Sequence, residues 1–433
     1  MTDPQFPLMK SIFDNRLYVA QGVEELPNSV HFRVFRPDET VMYHPLCDDF
    51  GPMNLGSTIL FIQQLDKELS DHPASRVFYL VDDGRRQLTN AVFMLGSYML
   101  LKLAMPLDNV IENLSWIDDE DVTEMYRDAT FCEPTFRLSL PDCWRGLTKG
   151  MECGWLRLPQ PETPWLWGKI DMEQYAHYDD PLNGDLHEVV PGKLVAFKGP
   201  HDLGALTYQD DKSGFRRFSA SYYAEVLKDM GVTTVVRLNE PEYDGAAFAR
   251  EEIGLLDLFF EDCTAPPARL VAAFLAAMGR AGGAVAVHCK AGLGRTGTLI
   301  GVYLMRQYGF TAREAMGWLR IMRPGSVIGE QQEYLCAAEK AVRGLAFRAL
   351  SAAATTGALS SDRVAGAQGE RSASVPARLG DEGGEAKRRP AEVRASGGAG
   401  AAAAEGLARQ VAEGMERRGA ARAREGRAVQ AAV

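Results

Sequence analysis

Apolar positions along the 433-residue chain recur in one pattern twice over. In 80–114, LVDDGRRQLTNAVFMLGSYMLLKLAMPLDNVIENL, an apolar run ends in a short glycine-bearing loop, a long apolar stretch follows, and an amphipathic stretch closes the unit. Segment 286–319, AVHCKAGLGRTGTLIGVYLMRQYGFTAREAMGWL, repeats that order at a constant offset of 205 positions, setting Gly96 on Gly301, Tyr98 on Tyr303 and Leu114 on Leu319. Each unit predicts a buried strand, a loop, a buried helix and a second, amphipathic helix. Around the second unit the spacing predicts helices over 220–230, 265–280, 296–308 and 311–322, and buried strands over 233–238 and 283–288. Helices alternating with short buried strands give an α/β fold.

Short Val-rich strands and Gly/Pro turns take over within 183–200, so a second domain is expected from 186 to 345, after a first from 7 to 168. The stretch between them, 169–185, reads as an acidic, aromatic-bearing linker helix. From 346 to 433 the composition shifts to Ala, Gly, Arg, Glu and Ser, which cannot bury enough surface to offset ordering entropy, and a disordered tail is expected. Its last thirty or so residues carry a weak helical pattern, and Lys387–Pro390 (KRRP) reads as solvated charge or a nuclear signal.

Composition narrows the class further. The formal charge is −11, yet 347–433 holds 14 Lys+Arg against 10 Asp+Glu, so the acid excess belongs to the preceding part. Such a body repels nucleic acid and phospholipid surfaces, and neither is expected as a partner. The first residues read as a cytosolic beginning, and no apolar run is long enough to span a bilayer. The seven cysteines are scattered without close pairs, which points away from a disulfide framework or zinc module and toward a reducing intracellular compartment.

The second unit carries chemistry that the first lacks. A strand feeding a Gly-rich loop that opens a helix is an anion cradle, because loop N–H groups and the helix N-terminus both present positive charge. Gly292, Gly294 and Gly297 let the backbone curl around an oxyanion, with Lys290, Ala291 and Leu293 completing the loop. Cys289 stands at the strand end, where the same field favours a thiolate. Arg295 offers a planar fork for two phosphoryl oxygens. Thr296 has a hydroxyl for the departing sulfur, and His288 is expected to bond the loop backbone and hold Cys289 in place. The leaving group needs a proton donor from the opposite side. In 256–267 (LDLFFEDCTAPP) the candidates are Asp257, Glu261 and Asp262; Asp262 is chosen because it lies between Phe259–Phe260 and a Thr/Pro turn able to swing as a lid. At the same offset, Gly84 and Asn90 replace Cys289 and Arg295 in the first unit. The expected reaction uses no metal and no cofactor.

These blocks resemble the dual-specificity phosphatases of the cell-division-cycle-fourteen family. The resemblance runs over about 7–343 through HCKAGLGRTGTLI (288–300), RPGSVIGEQQEYL (323–335), VVRLN (235–239), DLFFED (257–262), VPGKLVAFKGPH (190–201) and DDFGPMNLG (48–56). It implies an α/β fold with two tandem dual-specificity-phosphatase-like domains, each a central sheet flanked by helices, of which only the second is catalytic and the first sets specificity. It makes Cys289 the nucleophile, Arg295 the phosphate clamp and Asp262 the general acid, with Gln331 and Gln332 ordering the hydrolytic water. It implies phosphoprotein substrates made by proline-directed kinases, with phosphoserine before proline and a basic residue further on, as well as phosphotyrosine. An acidic groove would read that basic residue, supplied here by Glu173, Asp179, Asp180 and Asp185. The family works in cell-cycle, mitotic-exit, cytokinesis or ciliary control, which implies the nucleus, cytoplasm, centrosome, spindle or cilium base; oligomeric state stays unassigned.

Two other readings stay open. A phosphoinositide phosphatase would carry an extra lysine where Leu293 stands, and a phosphopeptide-binding scaffold without turnover is opposed by the joint presence of Cys289, Arg295 and Asp262. Three positions depart from the family pattern: Ala176 for a glutamate, Cys263 for a glycine after the acid, and Glu330 for a proline. Cys263 reads first as a plain buried thiol, with a protective disulfide to Cys289 under oxidation as the alternative.

Overall fold

The computed structural model describes residues 8–23, 29–119 and 121–357. Its first part runs β1 (Leu8–Phe13), β2 (Leu17–Gln21), β3 (Phe32–Phe35), α1 (Leu55–Asp71), β4 (Arg76–Val81), α2 (Arg85–Leu101), α3 (Leu107–Asn113), α4 (Trp116–Asp119) and α5 (Leu140–Glu152). The strands form one sheet in the order β1-β2-β4-β3, with β4 parallel to both of its neighbours. A short hairpin, β5 (Leu166–Trp167) and β6 (Ile170–Asp171), then leads into α6 (Met172–Asp179), which lies inside the stretch expected as a linker helix. Asp171 caps α6 by accepting from the N–H groups of Glu173 and Gln174.

The second part runs β7 (Leu186–Val190), β8 (Leu194–Phe197), β9 (Tyr208–Asp210), β10 (Arg216–Phe218), α7 (Ala220–Asp229), β11 (Val232–Arg237), α8 (Ala246–Arg250) and β12 (Gly254–Asp257). It continues through α9 (Ala268–Arg280), β13 (Ala284–His288), α10 (Gly294–Tyr308), α11 (Ala312–Met322) and α12 (Glu330–Gly357). Its sheet has the order β12-β11-β13-β8-β7, parallel except at β7. Every residue of β13 is buried, as its unbroken apolar run requires of a central parallel strand. The expected helices and strands of this part are present, with shifted ends. Helix α9 begins after Pro266 and Pro267 rather than at 265, since a residue that precedes proline is pushed out of the helical region, as Ala265 and Pro266 are. Helix α11 starts on a capping box between Thr311 and Glu314.

The repeat is visible as structure: β4, loop and α2 followed by α3 correspond to β13, loop and α10 followed by α11, and α3 and α11 start 205 positions apart. One hydrophobic core, from Ile12 to Val342, runs through both parts, while a second fills the other face of the second sheet. Helices α5 and α11 join the parts by close approach. A Cβ on Gly146 would meet the Glu314 carbonyl oxygen at 2.5 Å, and one on Gly317 would meet backbone of Asp142 and Cys143 within 3 Å.

Helix α12 runs to Gly357, so 346–357 is helical where disorder was expected; alanines, the strongest helix formers, dominate that stretch. The remaining tail, with its expected disorder, weak terminal helix and KRRP, lies outside the described residues.

Candidate active site

The sequence GLG after Cys289–Ala291 turns the chain from β13 into α10 in five residues, 289–293. Gly292 makes this possible: its φ is +70°, and a Cβ there would stand 2.0 Å from the Phe197 carbonyl oxygen. No side chain caps α10, so the orphan N–H groups of its first turn stay open to the loop. Arg295 belongs to that turn rather than to the loop, since α10 begins two residues earlier than 296.

Cys289 is buried at the strand end. His288, fully buried behind it, has Nδ1 3.0 Å from the Cys289 carbonyl oxygen and Nε2 2.8 Å from the Tyr243 hydroxyl. A carbonyl only accepts, so Nδ1 carries the ring proton and Nε2 accepts from Tyr243. Burial holds the imidazole neutral, with a pKa of about 4. His288 therefore holds the strand end in place, and among the described residues nothing routes a proton from it to Cys289 Sγ.

Arg295 is 1% exposed. Its Nη1 donates to the Phe260 carbonyl at 3.0 Å, and its Nε lies 3.2 Å from Asp262 Oδ1, an ion pair not aligned as a hydrogen bond. The clamp and the expected acid therefore meet directly. Thr296 Oγ1, also buried, has no hydrogen-bond partner among the described residues. Cys263 adopts φ +57°, the left-handed region that favours glycine. Burial and the neighbouring Asp262 push its thiol up to about 12, so it stays protonated at neutral pH. No disulfide joins it to Cys289. Lys290 points outward, its Nζ 3.6 Å from Glu242.

Other expected residues divide. Gln331 is fully buried, bonds the Thr264 carbonyl at 3.2 Å and abuts Gly294, so it bridges the acid loop and the phosphate loop. Gln332 instead accepts from the buried Arg320 at 2.7 Å and turns away from the loop. Glu173 is exposed, and Asp180, half-buried, accepts from the Leu182 N–H. Asp179 and Asp185 depart most from the expected groove. Both are buried, Asp179 on His187 and Asn54, Asp185 on Arg323, because these partners stabilise carboxylates that burial alone would destabilise.

The first part of the chain also reaches the site. Leu46 and Ala129 pack with Leu293 and Ile328, and Asp128 Oδ2 accepts from the Gly329 N–H at 2.8 Å. Sequence reasoning missed Asp128, Tyr243, His187, Arg320 and Arg323, whose roles depend on long-range partners. Only Arg323 left a signal, as the first residue of the RPGSVIG block.

A buried cysteine just past the end of a central parallel strand, a Gly-rich turn and an arginine in the next helix define the cysteine-loop phosphatase class. Residues 11–150 match the family model of the dual specificity protein phosphatase N-terminal half, and 220–341 that of the dual specificity phosphatase catalytic domain. Human dual specificity protein phosphatase CDC14C is 34% identical over 77% of this chain and 71% of its own. Human CDC14A is 36% identical over 74% and 52%, and tyrosine-protein phosphatase CDC14 of Saccharomyces cerevisiae 34% over 73% and 55%. The solved structure of human DUSP28, 22% identical over 38% of this chain and 99% of that one, superposes with a TM-score of 0.29, too low to add to the fold described above. The chain belongs to the CDC14 family of dual-specificity protein phosphatases. It spans from about half to about 70% of the length of these three curated relatives.

Proposed function

We propose that the chain hydrolyses phosphate monoesters on proteins, phosphotyrosine and phosphoserine/threonine alike, through a cysteinyl-phosphate intermediate. Cys289 Sγ attacks phosphorus in line with the departing oxygen, which takes a proton from Asp262. Arg295 and the loop N–H groups hold the equatorial oxygens as charge spreads over them. Water placed by Gln331 then attacks phosphorus, giving its proton to the Asp262 carboxylate, while the Thr296 hydroxyl stabilises the leaving thiolate. The observation that carries the reading is the convergence of Cys289, Arg295 and Asp262 on one turn, with the Arg295–Asp262 pair at 3.2 Å.

We further infer a preference for phosphoserine followed by proline, products of proline-directed kinases, in the control of cell division. The preference for a following basic residue is weaker than the family's. Ala176 replaces a glutamate, and the buried Asp179 and Asp185 leave Glu173 and Asp180 as the carboxylates with solvent access. The test is Cys289→Ser assayed on an aryl phosphate and on phosphopeptides with and without the proline and basic residue. Loss of hydrolysis with phosphopeptide binding retained is expected; full residual activity would overturn the assignment.

A further inference from the structure

Arg323 follows α11 and is 1% exposed, outside the loop it touches. Its Nε donates to the Gly292 carbonyl at 2.8 Å and its Nη2 to the Ala291 carbonyl at 3.1 Å. In a planar trans peptide the C=O and the next N–H point in opposite directions. Two carbonyls turned onto one guanidinium therefore turn the N–H groups of Gly292 and Leu293 away from Arg323. Where the loop N–H groups point is thus a question of what fixes Arg323.

The third nitrogen, Nη1, shares its protons among the Asp185 carbonyl (3.0 Å), Asp185 Oδ1 (2.8 Å) and His187 Nδ1 (2.9 Å). A guanidinium only donates, so His187 Nδ1 accepts and Nε2 carries the ring proton. Nε2 faces Asp179 Oδ1 at 2.9 Å, and Asp179 Oδ2 accepts from Asn54 Nδ2 at 3.1 Å. Asn54 is the N-cap of α1 in the first part of the chain, and Asp179 ends α6. Burial holds His187 neutral, which is the form that can accept on one nitrogen and donate on the other. Asn54, Asp179, His187 and Arg323 are each at least nine-tenths buried.

We propose that His187 is a positioning residue: it ties Arg323, and through it the phosphate loop, to Asp179 of the linker and Asn54 of the non-catalytic part. The proposal rests on reading 289–295 as the phosphate-binding turn. No sequence period marks it, because its four members lie on four different elements and meet only in the fold.

The experiment compares the full chain with His187→Asn, His187→Leu and Asn54→Asp. Asparagine can accept from Arg323 with Oδ1 and donate to Asp179 with Nδ2, whereas leucine does neither. Aspartate at 54 keeps the helix cap but sets a second carboxylate against Asp179. The readouts are the dissociation constant for tungstate, a phosphate mimic, by calorimetry, and kcat and KM on an aryl phosphate. His187→Leu should weaken tungstate binding and lower kcat by about tenfold or more, His187→Asn should stay within about threefold of the unaltered chain, and Asn54→Asp should fall between.

Equal losses in the asparagine and leucine variants would show a packing role only and overturn the proposal, as would a leucine variant that binds like the unaltered chain. If His187→Leu loses its cooperative melting transition, Asn54→Asp decides alone, and unaltered tungstate affinity there overturns the proposal. An unaltered chain that binds tungstate but does not turn over aryl phosphate would sink the catalytic reading, while the tungstate ratios still judge His187. An unaltered chain that binds no tungstate would overturn both.

Discussion

The two strand–loop–helix units differ less in frame than in how far their polar groups are satisfied. Between β4 and α2 three residues, 82–84, make the turn, two of them aspartates, and Gln21 Nε2 donates to the carbonyls of Asp82 and Gly84 at 2.6 and 3.0 Å. Arg86 commits its guanidinium to Asp48 and Glu124. Asn90, in the place of Arg295, donates to the Phe50 carbonyl and accepts from the Tyr126 hydroxyl. A cavity of about 850 Å³ opens beside these residues, so the first unit has room, but Arg86 and Asn90, which line it, are already committed to protein partners. The second unit is the reverse: Thr296 Oγ1 is buried with no hydrogen-bond partner among the described residues, and Arg295 Nε, buried too, meets only the unaligned Asp262 carboxylate at 3.2 Å. Leaving a buried donor such as the Thr296 hydroxyl unmet costs about 1–3 kcal/mol, a burden that makes sense where an incoming oxyanion supplies the missing acceptor. The catalytic copy is thus recognisable by what it leaves unsatisfied.

The sharpest way to break this comparison is at Arg295. Arg295→Lys should lower kcat/KM on an aryl phosphate by ~10³-fold, since a point charge cannot reproduce the fork. A drop below tenfold would mean that the buried guanidinium is incidental. Asp262→Asn should cost ~10²-fold in kcat on alkyl phosphates, with poor leaving groups, and clearly less on aryl phosphates; equal losses on both would remove Asp262 as the proton donor.

A smaller effect, on stability, separates the units by pH. His288 has a folded pKa of about 4, while Asp83 stands at its place in the first unit. The unfolded chain protonates this histidine below its ordinary value near 6.5 and the folded chain does not. Its contribution is therefore complete above pH 6.5 and is lost as pH falls toward 4, about 3 kcal/mol in all. Urea midpoints between pH 7 and 4.5 should fall more steeply for the unaltered chain than for His288→Gln. Parallel curves would mean that the ring is not buried neutral.

The same contrast explains what the sequence made legible. The doubled apolar pattern located β4, β13 and the helices after them, because burial imposes period on each element separately. The turn after Cys289 and the meeting of Arg295 with Asp262 were legible because that turn is a local structure and 257–262 is a short adjoining block. Asp179 and Asp185 read as an open acidic groove because their buried hydrogen-bonding partners, His187 and Arg323, lie eight and 138 positions away. Gln331 and Gln332 are adjacent in sequence yet face Thr264 and Arg320 respectively, a division set by helix geometry around a buried arginine that has no periodic signature. Helix α12 runs past 345, where the second domain was expected to end, because composition argues about burial while alanine favours helix by its own propensity.

The smallest expected effect lies in the first unit. Asn90→Ala removes the donor to Phe50 and the acceptor for Tyr126, whose ring is fully buried, so it should cost about 1–2 kcal/mol of stability. Asn90 stands where the second unit places its clamp, yet both of its bonds end inside its own part of the chain. Turnover of an aryl phosphate should therefore be unchanged within error, while the melting midpoint drops. The paired measurement matters because the first part also touches the catalytic loops, through Leu46, Ala129 and Asp128. If kcat fell along with the midpoint, the turn at 82–90 would be coupled to those contacts, and the first unit would be part of the catalytic machinery rather than a frame whose polar groups have closed on themselves.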